Sequence, residues 1–142
     1  MVTLGEMPVQ IETSEVVPLR NSDDVVRVRQ AVRARAVAAA FSLVDQTKIV
    51  TAASEIARNT VDYGGGGEAR IEVLRDGKRR GVRLTFTDQG PGIADLALAL
   101  TDGHTTGGGL GLGLSGAKRL SNEFDITSAP GQGTRVTLAR WK

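Results

Sequence analysis

The chain has 142 residues, 40% of them apolar and 24% charged, with a formal net charge of +2. That is the balance of one globular domain with a single core. It has no cysteine, which excludes disulfides, thiolate metal sites and cysteine catalysis. Lys and Arg are interleaved with acids, and the only aromatics are Phe41, Tyr63, Phe86, Phe124 and Trp141. Neither a phosphate-binding stripe nor a base-stacking platform can be built from these, so nucleic acid is not an expected partner. No apolar run approaches the roughly 20 residues of a membrane span. The N-terminus also lacks a basic-then-apolar leader pattern, so a cytoplasmic protein without a membrane partner is expected.

Residues 1–8 carry no pattern and are expected to be disordered, leaving 9–142 as a single domain. Val9 to Leu19 reads as an edge strand or hairpin, with Pro18 suited to an edge. Asn21 and Ser22 offer helix caps, and Asp23 and Asp24 complement the positive end of a helix dipole. Val25, Val28, Val32, Ala36, Ala39 and Leu43 follow at helical intervals. Asp45 is expected to cap a second helix running to Asp62, with Ile49, Ala52, Ala53, Ile56 and Thr60 as its buried stripe. Glu55 and Asn59 lie one turn apart at the border of that stripe, where they could reach a ligand or metal from one wall. An ordinary polar pair on a helix flank has the same spacing.

Gly64–Gly67 interrupts the helix. A strand over 68–75 with Ala69, Ile71 and Val73 inward leads to Asp76-Gly77, a tight hairpin signal. The strand over 81–88 puts Val82, Leu84 and Phe86 on one face, and Asp88 is the next residue on that face. A carboxylate so placed is costly unless it is hydrogen-bonded. Gly90-Pro91-Gly92 follows, a turn that lets backbone approach closely. Ala94–Leu100 reads as a short helix, 101–109 as a mobile loop and 110–122 as a helix. Strands are expected over 124–128 and 133–139. With one apolar and one polar face per strand, the expected fold is α+β, an α/β two-layer sandwich. Its sheet is mixed and mostly antiparallel, with helices on one face.

Residues 107–116 read Gly-Gly-Gly-Leu-Gly-Leu-Gly-Leu-Ser-Gly and run into the last helix. Backbone amides without side chains at such a place suit an anion, phosphate above all; a merely flexible glycine loop is the alternative. The dinucleotide fingerprint is excluded, because no strand precedes the glycines and no ribose-binding acid follows. Lys118 does not follow a glycine, which excludes a Walker loop. His104 has no second histidine to share a metal with and reads as a surface loop residue.

Glu55-x-x-x-Asn59, Asp88-x-Gly90-x-Gly92, Gly107–Gly113 and Gly131-x-Gly133-Thr134 stand in this order. Together they resemble the ATP-binding domain of the GHKL (Bergerat-fold) superfamily of gyrases, heat-shock chaperones and sensor kinases. Ser54–Asn59, Asp88–Ile93 and Gly109–Leu120 are most similar to the RsbT-type switch-protein serine/threonine kinases, close to the anti-sigma-factor kinases. The segment between Ile93 and Leu110 is shorter than in the latter. The resemblance covers about residues 9–142.

The resemblance implies a kinase using ATP and Mg²⁺. Asp88 would accept the adenine amino group, with Gly90, Gly92, Ile93 and Thr134 completing the pocket. Asn59 would hold magnesium, and Glu55 would orient or deprotonate the attacking hydroxyl. Gly107, Gly108, Gly109, Leu110, Gly111, Leu112 and Gly113 would wrap the phosphates, with Thr105 and Thr106 reaching the terminal one. Arg58 and Lys118 are both candidates for the cation at the γ-phosphate. The implied partner is a STAS-domain anti-sigma-factor antagonist or stressosome protein, with a phosphatase or cyclase activated on release. Two other readings compete. One is a nucleotide-gated module that sequesters a regulator such as a sigma factor; the other, a detached histidine-kinase catalytic domain, is disfavoured because no phospho-accepting histidine or dimerisation helix pair is present.

Overall fold

The computed structural model describes residues 9–93, 95, 100 and 113–142. It contains β1 (Gln10–Leu19), α1 (Ser22–Ala38), α2 (Leu43–Asp62), β2 (Gly67–Asp76), β3 (Arg79–Asp88), α3 (Gly113–Arg119), β4 (Glu123–Ser128) and β5 (Thr134–Trp141). The expectations for residues 1–8, for most of 94–100 and for 101–112 lie outside the described residues.

The strands form one sheet in the order β1-β2-β3-β5-β4. All four described pairings are antiparallel, so the sheet expected as mixed has no parallel pair among them. β1 is an edge strand, as Pro18 suggested, with a bulge between Ile11 and Thr13. Asp76 pairs with Arg79 across a two-residue turn.

The helices cover one face. Ala69, Ile71, Val82, Leu84, Phe86 and Leu138 are fully buried there against Val28, Val32, Ile49, Ala53 and Ile56. Burying each large side chain contributes about 1.5–3 kcal/mol. The opposite face is less polar than strand alternation suggested. Leu74 and Ala139 are buried on it, beside Glu72, which Arg83 pairs at 2.9 Å. Trp141 lies flat on Gly81, where a Cβ would come within 2.7 Å of the ring. Arg79 stacks on that ring at 4.4 Å, and the indole Nε1 donates to Glu123 at 2.9 Å.

α1 begins as its sequence signals. Asn21 is extended, and its Oδ1 accepts from the Asp24 amide at 3.2 Å. Asp24 itself is fully buried and accepts from the Arg20 amide at 2.8 Å and Arg20 Nε at 3.2 Å, with Arg27 on its other oxygen. The bonds from Arg20, then that from Arg27, outweigh burial and hold its pKa down to about 2.

α1 stops earlier than its apolar spacing implied. Ala40 takes a left-handed φ of 62°, and the Phe41 amide returns to the Ala36 carbonyl at 3.0 Å. Leu43, expected on the buried stripe of α1, instead opens α2 and is 69% exposed. The cap of α2 is Ser42, whose Oγ accepts from the Asp45 amide at 3.1 Å. Asp45, expected as the cap, stands in the first turn instead. Its carboxylate takes two bonds from Arg140 on β5, at 2.8 and 3.1 Å, and these are the main reason its pKa is lowered. Arg140 also donates to the Leu120 carbonyl at 2.9 Å, tying α2, β5 and the end of α3 together.

Candidate nucleotide site

One end of the sheet collects the residues of interest. In register across β2, β3, β5 and β4 stand Gly67, Asp88, Thr134 and Ser128. The alternation that buries Val82, Leu84 and Phe86 carries Asp88 to the same inner face, where it is 8% exposed. Its Oδ1 accepts from the Gly90 amide at 2.9 Å and the Thr134 amide at 3.2 Å. Among the described residues Oδ2 accepts no hydrogen bond. The carboxylate is thus fixed by one oxygen and can take a donor with the other.

The backbone closes tightly around it. A Cβ on Gly64 would lie 2.4 Å from Asp88 Cγ, and one on Gly90 2.7 Å from the Gly64 Cα. Gly92 has φ 77°, and a Cβ there would lie 2.0 Å from the Ala129 carbonyl oxygen, so only glycine is accommodated. The Gly131 amide donates to the Pro91 carbonyl at 2.7 Å, binding the two turns together. Ile93 donates its amide to Ser128 Oγ at 2.8 Å, and Ser128 Oγ meets Thr134 Oγ1 at 2.8 Å. A half-open cleft of about 180 Å³ runs beside this row, lined by Thr87, Asp88, Gln89, Gln132 and Arg135 among others.

The end of α2 abuts the same carboxylate. Its last turn is joined to the carboxylate through Gly64, whose amide donates to the Asn59 carbonyl at 3.2 Å. Asn59 is half-buried, and Glu55, one turn before it, is 7% exposed. Arg58 Nη1 stands 3.7 Å from Glu55 Oε1, with 45% of its own side chain exposed. α3, beginning at Gly113, packs on α2 through Leu114 and Ala117.

Asp88, Gly90, Gly92, Ile93 and Thr134 are therefore brought together, with Glu55 and Asn59 on the helix whose end abuts them. Thr105, Thr106, Gly107, Gly108, Gly109, Leu110, Gly111 and Leu112 lie outside the described residues. The sequence reading missed Gly64 and Ser128. Gly64 stood in a visible glycine cluster, but nothing local marked it as the one against Asp88; Ser128 carried no signal.

These groups suit a purine nucleotide with a hard cation. A buried carboxylate with one open acceptor matches an exocyclic amino donor. Asn59 offers an oxygen ligand of the kind magnesium prefers. No cluster of three His, Cys, Asp or Glu is gathered among the described residues.

Residues 44–142 match the family described as histidine kinase-, DNA gyrase B-, and HSP90-like ATPase. The chain belongs to that family, which implies use of ATP. It is 44% identical over 118 residues to the serine/threonine-protein kinase RsbT of Bacillus subtilis, a match covering 83% of this chain and 89% of RsbT. Among solved structures it resembles the RsbU and RsbW domains of a Mycobacterium tuberculosis protein, with a TM-score of 0.63 and 23% identity. That match covers 90% of this chain and 31% of the solved chain. The mycobacterial sensor histidine kinase MprB matches at a TM-score of 0.53 and 18% identity, over 91% of this chain and 97% of that one. These two likenesses speak for the fold alone. No helix among the described residues is long and apolar enough to cross a membrane.

Proposed function

We propose that this chain is an ATP-dependent protein serine/threonine kinase of a bacterial partner-switching pathway, active in the cytoplasm. Its acceptor is a serine or threonine on a STAS-domain regulatory protein. The observation that carries the reading is Glu55, a carboxylate 7% exposed and one turn before Asn59 on α2, the helix whose end abuts Asp88. A clamp that only holds nucleotide has no use for an acid there. A transferase does, because the attacking hydroxyl must be oriented and relieved of its proton. The 44% identity to a serine/threonine-protein kinase supports the same choice.

In this account Asp88 holds the adenine amino group through Oδ2, while Thr134 and Gly92 shape the adenine pocket. Gly113 and the glycines before it receive the phosphates. Asn59 holds the magnesium ion, which when bound neutralises phosphate charge. Glu55 accepts the proton of the acceptor hydroxyl as its oxygen bonds to the γ-phosphorus. The bond from that phosphorus to the bridging oxygen breaks, and the oxygen leaves with ADP. Phosphorylation of the STAS domain would loosen its grip on this chain, freeing it to activate a phosphatase or cyclase.

The test is transfer of label from γ-labelled ATP to purified STAS-domain proteins. The expected product is an acid-stable phosphoserine or phosphothreonine on one of them. Labelling confined to histidine, or label that never leaves ATP while nucleotide still binds, would contradict the kinase reading. The second outcome would favour a nucleotide-gated binding module.

A further inference from the structure

We propose that Arg58 is the cation of the phosphoryl-transfer site, and that Lys118 is not; the proposal rests on the kinase reading above. At about 100° per residue, Asn59 lies about 40° to one side of Glu55 on the surface of α2, and Arg58 about 60° to the other. Glu55 therefore stands between the expected metal ligand and a guanidinium. The measured contact agrees: Arg58 Nη1 is 3.7 Å from Glu55 Oε1. That is close enough to balance a carboxylate only 9% exposed, yet too long to be a hydrogen bond.

Arg58 is thus paired by charge while its five N–H donors remain uncommitted among the described residues. Its side chain is 45% exposed, on the wet flank of α2. On the kinase reading, a group within 3.7 Å of the base would also be within reach of the phosphoryl oxygens beside that base. A planar guanidinium there can bind two of those oxygens as the bond to the bridging oxygen breaks and charge moves onto ADP. Lys118, the other sequence candidate, is exposed on α3, whose buried residues are Leu114, Ser115, Gly116 and Ala117. Although α3 packs on α2, Lys118 forms no ion pair with Glu55 among the described residues.

Binding of ADP with aluminium fluoride, a mimic of the transferring phosphoryl group, tests this without reference to turnover. Calorimetry should show wild type binding ADP–aluminium fluoride about a hundredfold or more tighter than ADP alone. Arg58→Gln should lose at least about tenfold of that enhancement, with ADP affinity within about threefold of wild type and an unchanged circular dichroism spectrum. Arg58→Lys should recover only part of it. In a Glu55→Gln background the Arg58→Gln loss should persist, because the arginine acts on the phosphoryl group and not only through the acid. An enhancement retained in Arg58→Gln, lost instead in Lys118→Gln, absent from wild type, or insensitive to Arg58 once Glu55 is replaced overturns the proposal. Enhancement that depends on Arg58, with no transfer to any STAS protein, would sink the kinase reading while leaving the assignment of Arg58 standing.

Discussion

Asp88 Oδ1 and the Thr134 amide, 46 positions apart in sequence, meet at 3.2 Å across the β3–β5 pair. The same oxygen holds the Gly90 amide at 2.9 Å, so the carboxylate orients itself, the turn after β3 and the start of β5 together. Asp88→Asn keeps an oxygen for these amides but places an amino donor where, on the proposed reading, adenine also presents one. ATP affinity should fall at least about tenfold, about 1.4 kcal/mol, with the fold retained. Calorimetry showing unchanged affinity would remove Asp88 from the adenine site.

Gly64→Ala should act through the same carboxylate. The added methyl would sit 2.4 Å from Asp88 Cγ, and a side chain can turn away where backbone cannot. Asp88 would then lose its two amides, costing roughly 1–3 kcal/mol of stability, and its aim at the nucleotide. ATP binding should weaken about as much as in Asp88→Asn, and the double variant should be no worse than either single one. Additive losses in a binding cycle would show that Gly64 serves the site in some other way.

Much of this was legible in the sequence, and the reasons are local. Period-two alternation placed Asp88 on the inner face, helical spacing put Glu55 and Asn59 one turn apart on the same helix, and Asn21 sat where a cap is needed. What was not legible depends on distant chain. Ser42 and Asp45 are both good cap residues, and what separates their roles is Arg140 on the last strand drawing Asp45 away. Leu43 continued the spacing of α1 and so looked buried; the left-handed turn at Ala40 rotates it into water. Trp141 folding over Gly81 covers a sheet face whose alternation reads as polar.

That turn gives a stability prediction. An alanine held at φ 62° costs about 1–2 kcal/mol relative to glycine, partly offset by the extra freedom glycine has when unfolded. Ala40 is exposed, so Ala40→Gly removes no packing. Urea denaturation should show a gain of about 0.5–1 kcal/mol. A loss would mean that the turn relaxes away from the left-handed conformation in solution.

Acid should undo the start of α1. The folded pKa of Asp24, about 2, lies below its ordinary value of 3.8, so its stabilisation is complete above 3.8 and is lost as pH falls toward 2. Asp24→Asn should be less stable at neutral pH, and its stability should vary less across that window. Parallel curves for variant and wild type below pH 3.8 would show that other carboxylates drive the acid transition.

The central claim, that an acid beside the nucleotide makes this chain a kinase, is tested most directly by Glu55→Ala. Binding of ATP and single-turnover transfer to the STAS-domain acceptor should be measured on the same preparation. A base that acts only in the transition state leaves ground-state affinity alone. The account predicts ATP affinity within about threefold of wild type and transfer slowed at least about a hundredfold. Normal binding with full-rate transfer would contradict it, and would return Glu55 to an ordinary polar residue on a helix flank.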